Sequence, residues 1–408
     1  MDNPSFWQLY GEATKTAVGF FWKSGWAFVF GYSISAMIQA FVPKKKLTRY
    51  MGEPDVKSIS LATIFGAASS SCSFAALAAA RSLVQKGAHF IVAVAFMFAS
   101  TNLVIELGVL ILIFLGWQYL AAEIVGGMVL IAISSTLIKM TYPKKWMSEA
   151  REIVSEETEE EESFDWRRRL QSREGWFLVG KKFGDDWAMV WEEILIGFTV
   201  AGFVAVLIPA SFWSMIFLAH LQGSLPAWII ALENAIVAPF VAAATFIGSM
   251  GNIPLATVLN ANGVLFAGIM GFIYSDLMVP PLVQVNAKYY GWKLALYIAA
   301  IMFVSIVLTA LLLNAVFAVA GIIPESRKVI SDITQFKLDY TFWLNLAAVV
   351  IVFTMLFFKK KYRQIQDNTQ DHDMDHSGGT SAKRLVAYLF AVVLLIGLVS
   401  FFLTTKIF

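Results

Sequence analysis

The residues able to do chemistry gather in two stretches of an otherwise apolar chain. From Gly66 to Gly108 there are Ser69, Ser70, Ser71 and Ser73 around Cys72, the single cysteine, then Arg81, the run Ser100-Thr101-Asn102, and Glu106. The second half carries Glu233-Asn234, then Gly248, Ser249 and Asn252, then Ser275-Asp276 ahead of Pro280-Pro281. A thiolate is a soft ligand, hydroxyls and amides hold a desolvated polar solute, and carboxylates carry protons. At membrane depth such groups are costly unless they face protein or a water-filled cavity, so they mark a functional site by default. The substrate-binding set read this way is Cys72, Ser70, Ser71, Ser73, Ser100, Thr101, Asn102, Ser249, Asn252, Ser275 and Asp276. Asp276, Glu106 and Glu233 are the candidates for carrying a coupling proton.

Each group also has a plainer use. Cys72 among small residues suits a close helix crossing, and Ser100 to Asn102 can cap a helix break. Glu106, Glu123 and Glu233 can pair with Arg81 or Lys23. Asn252 and Pro254 in GSMGNIPLA read as a turn. His372, Met374 and His376 in DHDMDHSGG are competent copper or zinc ligands, at a spacing that matches no closed site. The chain has no Ser-His-Asp order, no phosphate-binding loop and no HExxH, so neither an enzyme nor a cofactor is expected.

The elements that must position these residues follow from composition. With 58% hydrophobic and 15% charged residues among 408, and a mean hydropathy of +0.68, the chain reads as an all-helical, multi-pass membrane protein. A net charge of +2 gives no reason to expect nucleic acid. The partners expected are a small solute or metalloid, the bilayer and, optionally, further copies of the chain. The first residues lack a basic region followed by an apolar core, so no cleavable signal peptide is expected.

Apolar runs cover about Val18–Val42, Ser58–Leu83, His89–Gly116 and Trp117–Met140. The cluster Lys44, Lys45, Lys46 and Arg49 and the charged loop from Thr141 to Asp186 both point to the cytoplasm. Two cytoplasmic loops need an even number of crossings between them. One segment should therefore be re-entrant, and His89–Gly116, interrupted at Ser100-Thr101-Asn102, is the choice. Trp166, Leu170, Trp176 and Phe177 interleave with arginines as in a helix at headgroup level.

The second half repeats the first. GYSISAMIQAFVP (Gly31–Pro43) matches GFTVAGFVAVLIP (Gly197–Pro209), and Leu83, Gly87, Phe90 and Phe96 fall on Leu259, Gly263, Phe266 and Phe272. Gly116-Trp117 returns as Gly291-Trp292, Cys72-Ser73 meets Gly248-Ser249, and Ala99-Ser100 meets Ser275-Asp276. The basic flanks sit at opposite ends of the two first spans, which makes the repeats inverted. The organisation expected is a first repeat at 18–140, a cytoplasmic loop at 141–186, a second repeat at 187–319, and a two-span hairpin at 341–404 holding the His-containing linker. Paired broken helices would then frame a midplane site, and the halves would alternate access to it.

The patches SSSCSFAALAAARSLVQKGAHF, AFMFASTNLVIELG and LGWQYLAAEIVGG, with GNIPLA and GFIYSDLMVPP, resemble the predicted-permease family that includes bacterial organoarsenical efflux permeases. The resemblance covers roughly Gly31 to Leu313. It implies a bacterial inner-membrane permease of two repeats, in which cysteines near these motifs contact trivalent arsenicals. In this chain that role falls on Cys72 alone. One thiol bonds As(III) once, so the substrate implied carries few exchangeable ligands, as a methylated or aromatic arsenical does. Two other readings of the residues stay open: a permease for another small solute with Cys72 merely packing, and a membrane scaffold or metal-sensing assembly factor that uses the His linker.

Overall fold

In lipid no water bonds to exposed backbone, so an apolar chain of this kind satisfies its own N–H and C=O groups in helices. A computed structural model describes residues 5–41, 51–69, 73–85, 87–141, 166–324, 330, 336, 338–369 and 382–405. Apart from one bridge between Gln222 and Leu225, the described residues contain no strand.

The chain begins with α1 (Phe6–Phe41), then α2 (Val56–Ser69), α3 (Ser73–Gln85), α4 (Phe90–Asn102), α5 (Ile105–Phe114) and α6 (Trp117–Thr141). The short α7 (Trp166–Gln171) precedes α8 (Arg173–Leu207), followed by α9 (Ala210–Ile216), α10 (Ala227–Thr245), α11 (Ser249–Ala261) and α12 (Phe266–Ile273). A 3-10 turn at Asp276–Met278 leads to α13 (Pro280–Tyr290) and α14 (Trp292–Val319), and α15 (Tyr340–Thr369) and α16 (Ala382–Thr405) complete the series. Six of these helices are long and apolar enough to cross a membrane, in α6, α8, α10, α14, α15 and α16. The pair α4 and α5, bent by 42°, makes a seventh if it counts as one span.

Several helix ends have identifiable causes. The run Ser100 to Asn102 turns its side chains back onto the carbonyls of Met97 and Phe98, and the helix stops at Leu103-Val104, so the interrupted third segment is two helices. Asp55 Oδ1 accepts the Ser58 amide at 2.7 Å at the start of α2. Hydrogen bonds from Ser58 hold the Asp55 carboxyl below the usual carboxylate range. Ser172 caps α8 through the Gly175 amide at 3.0 Å. That cap starts the helix at Arg173, inside the stretch that charge alone reads as loop. The Asn and Pro of GNIPLA, which read as a turn, lie inside α11, where every residue from Ser249 to Asn260 is buried. Burial of the whole segment overrides the local preference.

The described residues form two compact units that cut across chain order. One gathers α1, α7, α8, α15 and α16. In it Gly202 of α8 meets the backbone of Ala17 in α1 so closely that a Cβ would stand 2.5 Å from the Ala17 nitrogen. Phe198 packs between Phe20, Phe21 and Phe28. Asn345 of α15 inserts into the hydrogen-bond ladder of α1, donating to the Trp22 carbonyl at 2.8 Å and accepting from the Trp26 amide at 3.0 Å. Those two backbone groups would otherwise bond each other across one turn. Lys23 pairs with Asp339 at 3.7 Å rather than with any of the intramembrane glutamates.

The second unit holds α2 to α6 and α9 to α14. Within it α2 packs on α4 and α10 on α12, α4 on α6 and α12 on α14, α5 on α6 and α13 on α14. Crosswise, α11 packs on α5 and α3 on α13. The helices Ser73–Gln85 and Ser249–Ala261 have 13 residues each and are followed by Gly87 (φ +91°) and Gly263 (φ +86°). The next helices start at Phe90 and Phe266, and α6 and α14 start after the positive-φ Gly116 and Gly291. A side chain is strained at such φ, so these glycines set where one helix ends and the next begins.

Candidate functional site

The candidate residues that the structure describes all fall in the second unit. Ser73 opens α3, and its hydroxyl donates to Asp276 Oδ2 at 3.0 Å. Ser73 is 1% and Asp276 0% exposed, so the first motif of one half is tied to the last motif of the other. Asp276 stands in the 3-10 turn between α12 and α13, a break that Pro280 and Pro281 make possible by starting α13 without backbone donors. The neighbouring Ser275 turns its hydroxyl back to the Gly271 carbonyl and caps α12.

The same unit holds the other broken ends. Ser249 opens α11 after the extended Gly248, and Asn252, fully buried one turn on, accepts from Thr245 Oγ1 at 3.5 Å while its Nδ2 has no partner among the described residues. Pro254 has no N–H to give to the carbonyl of Met250, which leaves another polar backbone group at this level of α11. Ser100, Thr101 and Asn102 are each at most 1% exposed at the end of α4. The Asn102 Nδ2 donates to Phe98 O and Thr101 Oγ1, both at 3.1 Å, and its Oδ1, itself fully buried, has no donor among the described residues.

Glu106 is buried in the first turn of α5. Glu233 of α10 is half-buried and accepts from its neighbour Asn234 at 2.7 Å. Asn234 also donates to the Phe217 carbonyl and receives the Leu265 amide, so this corner anchors the start of α12. Arg81 stacks over the Tyr289 ring at 4.8 Å rather than pairing with a glutamate. Sequence reading passed over Tyr274, whose hydroxyl bonds the Ala122 carbonyl at 2.9 Å, and undervalued Glu123. The Tyr274 hydroxyl also reaches the Glu123 backbone carbonyl at 3.3 Å, and the Glu123 carboxyl lies within electrostatic reach of Asp276. The signal for Glu123 was its position, an acid at a fully apolar depth of a long span.

Cys72, Ser70 and Ser71 fall outside the described residues, as do His372, Met374 and His376. Among the described residues no three His, Cys, Asp or Glu side chains converge as they would on a metal ion. What the site offers is a buried carboxylate held by a hydroxyl, a second carboxyl near it, and amide and hydroxyl groups at helix breaks. Hydroxyl and amide groups of this kind can hydrogen-bond a small polar solute, and a carboxyl can carry a proton.

Residues 9–315 match the family model described as "Predicted permease". The chain is 35% identical over 324 residues to a Mycobacterium tuberculosis protein that bears a permease name, Rv2963, a match spanning 76% of this chain and 78% of that protein. No solved structure matches the chain.

Proposed function

The chain belongs to the predicted-permease family and is a multi-pass membrane transporter, and on that premise we propose that it exports a trivalent organoarsenical across a bacterial inner membrane. The observation that carries the reading is the buried Ser73–Asp276 bond, because Ser73 is the residue directly after Cys72. A soft thiol would then stand in sequence beside a hydroxyl–carboxylate pair, which suits capture of a metalloid and exchange of a proton for it. Ser249, Asn252, Ser275 and the run Ser100 to Asn102 line the same route in this reading, with Glu106 and Glu233 as further proton carriers.

The proposed machinery is a pair of inverted repeats, 18–140 and 187–319, joined by the cytoplasmic loop 141–186, with His89–Gly116 re-entrant and 341–404 an appendage. Two features support the duplication. From α3 and α11 onward the matched helices start in the same register to within one residue, and their contacts exchange into one another: α3 on α13 answers α11 on α5. The halves would alternate access around the broken ends.

The test is accumulation of methylarsenite, arsenite and an unrelated solute in everted vesicles holding wild type or Cys72→Ser. Gradient-driven accumulation of methylarsenite that Cys72→Ser abolishes is the expected result. No accumulation above empty vesicles sinks the arsenical assignment. One observation favours a second reading, a permease for another small polar solute: the chain has a single thiol, while the described candidate residues carry buried hydroxyl, amide and carboxyl groups. Uptake of such a solute that Cys72→Ser leaves intact would support it.

A further inference from the structure

The bend between α4 and α5 opens a groove of about 430 Å³ between α2, the break, α5 and α6. Its mouth is made of Ile64, Ile105, Leu112, Ile124 and Met128, all between 45% and 64% exposed. In a chain that crosses the membrane, such a surface faces acyl chains. The lining changes at Asn102 and Glu123, each 1% exposed, with Thr63 near them. The two bonds from Asn102 Nδ2 fix the orientation of its amide, so Oδ1 is the acceptor left over. A buried acceptor without a donor is costly, and a hydrocarbon tail in the groove would leave it so. The volume lies in the range of small-molecule sites.

We propose that this groove is a lateral binding site for a bilayer-dissolved, uncharged amphipath with an apolar body and a hydroxyl donor. Its body fills the space under Leu112 and Met128, and its O–H meets Asn102 Oδ1 beside Glu123. The inference deepens the permease reading by naming a class of cargo and its side of entry. It rests on that reading for its role in transport and not for the binding.

The test uses the full chain in lipid nanodiscs and two photoreactive probes, a trifluoromethyl-diazirine benzyl alcohol and its methyl ether, with adducts located by mass spectrometry. The alcohol is expected to label residues 103–128 saturably, and the ether at least about tenfold less at equal concentration, the loss that follows from one unmade buried hydrogen bond. Asn102→Leu should bring the alcohol down to the level of the ether. Leu112→Trp fills the mouth, leaves the polar lining alone and should lower labelling by both. Equal labelling by the two probes, a groove for lipid tails only, overturns the proposal. So does Asn102→Leu that melts like wild type and still labels fully. Should Asn102→Leu fail to fold, unchanged labelling of Leu112→Trp overturns it. Labelling needs no transport, so donor-dependent labelling alongside a negative vesicle assay would count against the cargo reading and leave the site standing.

Discussion

Gly66 offers the sharpest test of how α2 holds α4, and through it the polar end of α4. A Cβ on Gly66 would stand 2.5 Å from the Phe96 carbonyl oxygen, 2.8 Å from Ala99 Cβ and 3.1 Å from the Ser100 nitrogen. Comfortable contact begins near about 3.5 Å, so Gly66→Ala must push the two helices apart by roughly 1 Å. Two of the three neighbours are backbone atoms and cannot turn aside into another rotamer. Overpacking of this kind costs about 1–3 kcal/mol, and each kcal/mol lowers Tm by about 2–4 °C in a unit of this size. Gly52→Ala is the control, since nothing lies within 4 Å of its Cβ position. The assay is thermal unfolding of purified protein in detergent, with vesicle transport measured in parallel. A drop of several degrees and reduced transport are expected for Gly66→Ala alone. If Gly66→Ala melts and transports like Gly52→Ala, the tight crossing is not what holds Ser100 to Asn102 in place.

Four further outcomes are expected. Asp276→Asn keeps an oxygen for the Ser73 hydroxyl and loses the ionisable group; gradient-driven accumulation should collapse while substrate exchange at equilibrium survives, and loss of both would remove Asp276 from the coupling role. Tyr119→Phe removes a buried bond of 2.9 Å to Asn260 Oδ1 and should cost about 0.5–1.5 kcal/mol in detergent unfolding, with no change pointing to a bond of no net value. Asn345→Leu should loosen α15 from α1, read as faster hydrogen exchange of the Trp26 amide, and unchanged exchange would mean the helix ladder simply closes. The Asp55 carboxyl is held below its usual range, so its contribution to α2 is present above the unfolded value and lost as pH falls through the folded one. The protection factor of the Ser58 amide should therefore fall in wild type as pH is lowered through the folded carboxyl range, and show no such step in Asp55→Ala.

Much of the architecture was legible in the chain because membrane burial leaves few options. Long apolar runs had to be helices, and the Ser-Thr-Asn run had to end one, since those side chains compete for the carbonyls that continue the helix. The glycines matched in sequence, Gly87 with Gly263 and Gly116 with Gly291, each precede a helix start. The reading failed where a local preference met full burial, as in GNIPLA, where α11 is closed in on all sides and stays helical through Pro254. It also missed Tyr274, because a tyrosine in an apolar run carries no sign of the carbonyls on α6 that it will meet.

What the sequence determined by itself is the class of the molecule and its apolar helical segments, both of which depend on composition and on neighbours a few positions apart. The tertiary structure alone decided that Ser73 meets Asp276, that Tyr274 meets the α6 carbonyls, that Asn345 enters the α1 ladder, and that Asn102, with a buried acceptor lacking a donor among the described residues, lines a groove. Those contacts join segments far apart in the chain. Their distances are set by how closely helices can approach, and that depends on which small residues happen to lie at each crossing.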